Sequence, residues 1–437
     1  MNYRLRALFF AVSLTVSFGC GDDSTPSTCT PGASVACVGA GGCAGGQVCN
    51  ADGTAFGECM CGGADTGPSG SDADTPDSGP MDAARPDVTA DVGPRPPVDA
   101  VDILFAIDNS GSMSEEQASL VAELPAFING LASGQTPGGG TTFAPVTDLR
   151  VGVVSSDLGT GGFTIPTCDE PNFGDDGILS RATNGAGCTD IPGGEPPFLA
   201  LQPGGDVDDF TDAAACLLSL GTQGCGFEQQ LDAMLKSVTS ETAATTFVNG
   251  SRGHGDVANE GFAREDSLLV VVMLTDEDDC SAANPDIYNR DSATFTDPDL
   301  NLRCSRYEDA ALHPVERYVD GLLAVHPPER LLFHVVSGIP VDLVPPPGVS
   351  PDYDALVGPE AGRDPRMVNT PDPVMPSQLT ASCDVPGRGR AYPPVRIVRV
   401  AEGLQAAGAG VILQSICQSE FGFAAALSTR IARYREI

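Results

Sequence analysis

Five uninterrupted apolar runs constrain this chain more than any other feature. They are VDILFAI (101–107), LRVGVVSS (149–156), SLLVVVMLT (267–275), RLLFHVVSG (330–338) and GVILQSI (410–416). A strand with one wet face alternates polar and apolar residues, whereas a continuous run reads as a parallel strand buried on both faces. Helical spacing lies between the runs. Leu120, Leu124, Phe127, Ile128 and Leu131 follow a capping box of Ser114 with Gln117. Leu231, Leu235 and Val238 mark a second helix, and Phe423, Leu427, Ile431 and Tyr434 a last one behind an N-cap at Ser419. Pro125 is expected to kink the first helix. This alternation predicts an α/β fold over residues 100–437, a doubly wound and mostly parallel sheet.

Three long irregular stretches, roughly 158–210, 281–306 and 340–393, interrupt the pattern and are expected on the surface. They hold half of the eight cysteines of this region: Cys168, Cys188, Cys216, Cys225, Cys280, Cys304, Cys383 and Cys417. An even number beside an export signal predicts disulfides. That signal is MNYRLRALFFAVSLTVSFG (1–19), with two arginines, a short apolar core and a small last residue. Cys20 follows at once, in an arrangement that looks like a bacterial lipobox and implies lipid attachment there. Residues 20–63 then pack six further cysteines among glycines, a piece too small to bury a core and so expected to be held by disulfides. It resembles short cysteine-rich repeats of myxobacterial surface lipoproteins. Residues 64–99 are rich in Asp, Pro, Gly and Ala. They are expected to be a disordered linker, reaching up to on the order of 100 Å when stretched.

Charge narrows the function. The formal net charge is −36, which leaves no basic face for nucleic acid. The one lysine, Lys236, follows no glycine-rich phosphate loop. No G-x-S-x-G elbow is present, and in HPVERY (313–318) Arg317 stands where a zinc-protease motif needs its second histidine. No catalytic set is visible, and the chain reads as a non-enzyme.

The first apolar run ends in DNSGSMS (108–114), and burying a strand requires none of Asp108, Ser110 and Ser112. Alternate residues of a tight loop can aim their oxygens at one centre, one carboxylate and two hydroxyls, which suits a hard divalent cation. A helix cap with an Asx turn also uses these residue types. Position favours the cation, because ligands of open α/β sheets bind at the carboxyl ends of strands.

DNSGSMS resembles the metal-ion-dependent adhesion site of von Willebrand factor type A (VWA) domains, and the resemblance covers about 101–437. It implies a VWA or Rossmann-like fold. It also implies metal ligation by Asp108, Ser110, Ser112 and Asp276, the last ending VVVMLTD, with Glu277 where the family usually has glycine. A threonine expected from a middle loop falls at Glu228, or at Thr222 if the loop is longer. Asp278 and Asp279 read as solvated loop charge. GCGFEQ, DEDDCS and SIC together resemble a myxobacterial branch of the family. The expected cofactor is Mg²⁺, or Mn²⁺ or Ca²⁺, and the expected partner a protein or surface ligand offering an acidic group. The expected location is the cell envelope, by a lipid anchor.

Overall fold

The computed structural model describes residues 98–435 except 185–186, 387–388 and 419–421. Upstream it describes residues 50, 54–55 and 57–58 and the backbone of three short strands, β1 (Ser34–Val38), β2 (Ala44–Val48) and β3 (Met60–Cys61), in one antiparallel sheet of order β1-β2-β3. The export signal, Cys20, residues 64–97 and the N-cap at Ser419 lie outside the described residues.

All five apolar runs are strands. β4 (Ala100–Ile107), β5 (Asp148–Ser155), β7 (Leu268–Leu274), β8 (Leu331–Ser337) and β11 (Gly410–Ser415) are mutually parallel. A sixth strand, β6 (Leu199–Leu201), joins the edge antiparallel to β5, giving the order β11-β8-β7-β4-β5-β6. The strands read as continuous because both faces are covered. Ile103, Phe105, Val151, Val270 and Val272 pack on one side with helices α1 (Ser114–Ser133), α2 (Val207–Leu218) and α9 (Phe423–Arg435). Leu104, Ala106, Val154, Val271 and Met273 pack on the other with α3 (Gln230–Val238), α6 (Glu316–Val325) and α8 (Val395–Ala406).

One detail of α1 differs from expectation. The helix contains Pro125 within a single element, but Ser114 with Gln117 makes no capping box: the N-cap is Met113, without a side-chain bond. Gln117 instead joins two loops, as described below. Glu123 on α1 reaches across to the start of α9, its two carboxylate oxygens accepting from Gly422 N and Ala424 N at 3.1 Å each. An acidic group there satisfies orphan N–H donors and complements the helix dipole.

The insertions are not simply surface loops. Ile165, Phe227, Ile287, Tyr288, Phe295 and Leu312 form a third buried cluster, so the first two insertions share a small core of their own. The third carries an antiparallel ribbon of β9 (Cys383–Val385) and β10 (Gly389–Ala391). All eight cysteines of the region pair: Cys168–Cys225, Cys188–Cys216, Cys280–Cys304 and Cys383–Cys417. Each bridge ties an insertion to a neighbouring segment outside it.

His334 lies within β8 and is fully buried. Its Nε2 meets Gln414 Oε1 at 2.6 Å and its ring stacks on Phe423 at 5.6 Å. Burial depresses its pKa to about 4, which suits a neutral core residue. Phe423 also meets Phe105 at 5.9 Å and Phe127 at 4.9 Å, and so locks α9 to both the sheet and α1. Phe423→Ala is expected to lower stability by about 3–5 kcal/mol in urea denaturation; a loss near zero would mean that α9 is not docked this way.

Candidate metal centre

Register places the first three groups. Ile107 of β4 pairs with Ser155 of β5 and Leu274 of β7, so Asp108, Ser156 and Thr275 follow side by side at the carboxyl ends of three adjacent strands. They also continue the same face of the pleat as Ala106, Val154 and Met273. Their side chains meet accordingly. Thr275 Oγ1 donates to Asp108 Oδ2 at 2.8 Å, and Ser156 Oγ to Asp108 Oδ1 at 3.4 Å.

The turn after β4 wraps around the same carboxylate. Ser110 N donates to Asp108 Oδ1 at 2.8 Å, and the Ser110 and Ser112 hydroxyls lie 3.3 Å apart. The negative charge of Asp108 acts on Asp276, the residue after Thr275. The turn after β7 is thus tied beside the turn after β4 through the Thr275–Asp108 bond. Gln117 braces the arrangement: its Nε2 donates to Asp108 O at 3.0 Å and Gly221 O at 2.9 Å, while its Oε1 accepts from Gly221 N at 3.1 Å.

A middle loop supplies Glu228, 4% exposed and just ahead of α3. Its backbone is fixed from both sides, Cys280 N donating to Glu228 O at 2.8 Å and Gln229 N to Ser156 O at 2.9 Å. Burial, then the negative charges of Glu277 and Asp108, push its carboxyl well above the usual range. Burial, then Asp108, does the same to Asp276. Burial raises Asp108 as well, and it raises Glu277, next to Asp276, to about 7. Glu116 on α1 completes the group. It is 1% exposed, both its oxygens lack a hydrogen-bond partner, and burial raises it to about 7. Asp276 Oδ1 is likewise buried without a partner.

No ion pair among the described residues reaches any of these five carboxylates. Two residues further on the picture reverses. Asp278 accepts from Arg396 N at the start of α8, and Asp279 pairs with the Arg396 guanidinium at 3.3 Å while accepting from Leu231 N of α3. The solvated loop charge expected at Asp278 and Asp279 is therefore wrong. Asp279 is 1% exposed, and both carboxylates anchor helices.

Of the two alternatives for the middle loop, Glu228 is buried and feels the charge of Asp108. Thr222 is half-buried, and its side chain makes no hydrogen bond to the Asp108 turn among the described residues. The acidic groups do not crowd to a single point. Among the described residues, only Asp157, Cys168 and Cys225 bring three potential ligand atoms within 4.8 Å of one another, and those two sulfurs are joined in a disulfide. All donors are oxygen, the net charge is negative, and several oxygens lack partners, a set that a hard divalent cation fits. Ser156, Thr275, Gln117 and Glu116 did not stand out in the sequence as parts of this site. The first two become visible once strand register is known; Gln117 and Glu116 sat inside an ordinary-looking helix start.

No protein-family model matches the chain, and no curated protein matches it either. Among the described residues no helix is long and apolar enough to cross a membrane, and the four disulfides are consistent with an extracytoplasmic protein.

Raised carboxyl pKa values set a sign for pH dependence. Between the ordinary carboxylate range and about 7, the folded state holds protons that the unfolded chain has released, so stability falls as pH rises through that window. In chelator, the melting temperature is expected to be lower at about pH 8 than at about pH 5, and added divalent cation should shrink the difference, because metal takes the deprotonated groups. Calorimetry showing a rise with pH in chelator would contradict this.

Proposed function

We propose that this protein is an exported, lipid-anchored envelope protein whose 100–437 region is a doubly wound VWA-type domain binding a protein or surface ligand through a divalent cation. The observation that supports this reading is the Asp108 turn, whose carboxylate and two serines lie together, with Asp276 and Glu228 buried near enough to feel its charge and no ion pair to any of the three carboxylates among the described residues. An uncompensated buried carboxylate is costly, and a bound cation relieves that cost for several at once. Asp108, the two serines, Asp276 and Glu228 would hold Mg²⁺ or a similar ion. Bound there, the ion supplies a Lewis-acidic position for an acidic group of the partner. The residues of this chain orient that position: Gln117 ties the Asp108 turn to the Gly221 loop, and Thr275 ties it to the turn that carries Asp276. Anchoring is proposed at Cys20, with residues 64–99 holding the domain away from the envelope surface.

Glu228 favours a second reading, in which the cation only stabilises the fold of an assembly or structural lipoprotein. A third carboxylate near the ion reduces its attraction for a partner's carboxylate. The two readings separate in one experiment. Wild-type protein is expected to melt several degrees higher with Mg²⁺ than in chelator, with the shift abolished in Asp108→Ala, and its envelope ligand to be retained only with the cation present. Ligand retention by Asp108→Ala in chelator would refute cation-mediated binding. A cation-dependent shift without any cation-dependent ligand would leave the stabilising reading.

A further inference from the structure

Asp108 can be examined lone pair by lone pair. An ionised carboxylate offers about four acceptor positions, two on each oxygen. On Oδ1 one is taken by Ser110 N at 2.8 Å, and the Ser156 hydroxyl faces the other in a long contact of 3.4 Å. On Oδ2 one is taken, by Thr275 Oγ1 at 2.8 Å. Thr275 has little choice in this. Gln230 Nε2 donates into its hydroxyl at 2.7 Å and Glu277 N at 3.2 Å, which fills both lone pairs of that oxygen. Its single proton goes to Asp108 Oδ2 in preference to the Glu277 carbonyl at 3.2 Å. Ser156 and Thr275 are both 1% exposed or less, so water does not compete for these bonds.

One position is left, on Oδ2. We propose that Ser156 and Thr275, the latter oriented by Gln230, are specificity-determining residues that limit Asp108 to single-oxygen contact and so set which cation the turn accepts. The inference rests on the metal-site reading above and deepens it. Mg²⁺ and Mn²⁺ are satisfied by six ligands with single-oxygen carboxylate contacts, whereas Ca²⁺ takes six to eight and commonly uses a carboxylate through both oxygens. A carboxylate whose Oδ1 already accepts from Ser110 N and faces the buried Ser156 hydroxyl offers that second contact only by displacing Ser156. Ser156→Ala opens a position on Oδ1; Thr275→Val opens one on Oδ2 and frees the group to turn.

The test is titration calorimetry of the full chain with Mg²⁺ alone and with Ca²⁺ alone, read as the ratio of the two dissociation constants. A merely structural role would weaken both ions together and leave the ratio unmoved. Wild-type protein is expected to prefer Mg²⁺. Ser156→Ala and Thr275→Val are each expected to shift the ratio towards Ca²⁺, by up to about the tenfold that losing a group behind a ligand costs in affinity. Thr275→Ser, which keeps the hydroxyl, should retain the wild-type ratio and guards against a folding defect. An unchanged ratio in both Ser156→Ala and Thr275→Val overturns this proposal alone. Wild-type protein that takes up neither ion overturns the metal-site reading, and this proposal with it.

Discussion

Buried carboxylates without a counter-charge are the constraint on which the rest of the molecule depends. Asp108, Glu116, Glu228 and Asp276 are each at most 4% exposed, and they repel one another across the carboxyl ends of the central strands. Left to themselves, the loops that carry them would spread. Several features prevent it. Strand register fixes Asp108 and Thr275 at one height, and Gln117 ties the first loop to the second. Two disulfides close the flanks: Cys225 lies three residues before Glu228 and pairs with Cys168, and Cys280 lies four after Asp276 and pairs with Cys304. A sheet buried on both faces supplies the rigidity against which local repulsion can be held.

The run TDEDDCS shows how sharply this constraint is localised. Asp276 and Glu277 face the cluster, whereas Asp278 and Asp279 meet Arg396 and the first turns of α8 and α3. One arginine, 3% exposed, accounts for the division. Burial still lifts Asp278 to about 7, but it has N–H donors to accept from, where Asp276 Oδ1 has none. Adjacent carboxylates thus meet opposite surroundings: one pair is bonded into the frame, and the other has no ion-pair partner among the described residues.

Much of the fold was legible because double burial leaves a mark that helices and loops do not imitate. Each of the five apolar runs became a parallel strand within one or two residues. β6 was not legible, since three residues of an edge strand, LAL, carry no period. The insertion core was missed because Ile165, Phe227, Tyr288 and Phe295 come from distant segments, and only the folded chain shows that they meet. The same holds for Ser156 and Thr275. Each closes an apolar run and reads as a strand end, and only pairing with β4 turns them towards Asp108. Gln117 was misread for a subtler reason. Ser114 and Gln117 have the spacing of a capping box, but burial of Gln117 against the Gly221 loop offers its amide three backbone partners, and tertiary contact overrode the local motif.

Charge weighs differently on the two readings of the site. A single divalent ion offsets two of the five carboxylates, and Glu116 and Glu277, each raised to about 7, are partly protonated near neutrality. Asp108, Asp276 and Glu228 are raised as well, the last two well above the ordinary range, so protonation lowers their charge too, and on either reading an acidic partner would meet an ion with carboxyl groups already around it. Attraction for an acidic partner then depends on how far Glu228 stands from the ion, and its backbone is held by Cys280 N and by the Gln229–Ser156 bond. Ser156 therefore acts twice, through its hydroxyl on Asp108 and through its carbonyl on the loop that carries Glu228. If the turn holds an ion as proposed, the end of β5, a strand that contributes no ligand of its own, would bear on both the Asp108 carboxylate and the placement of Glu228.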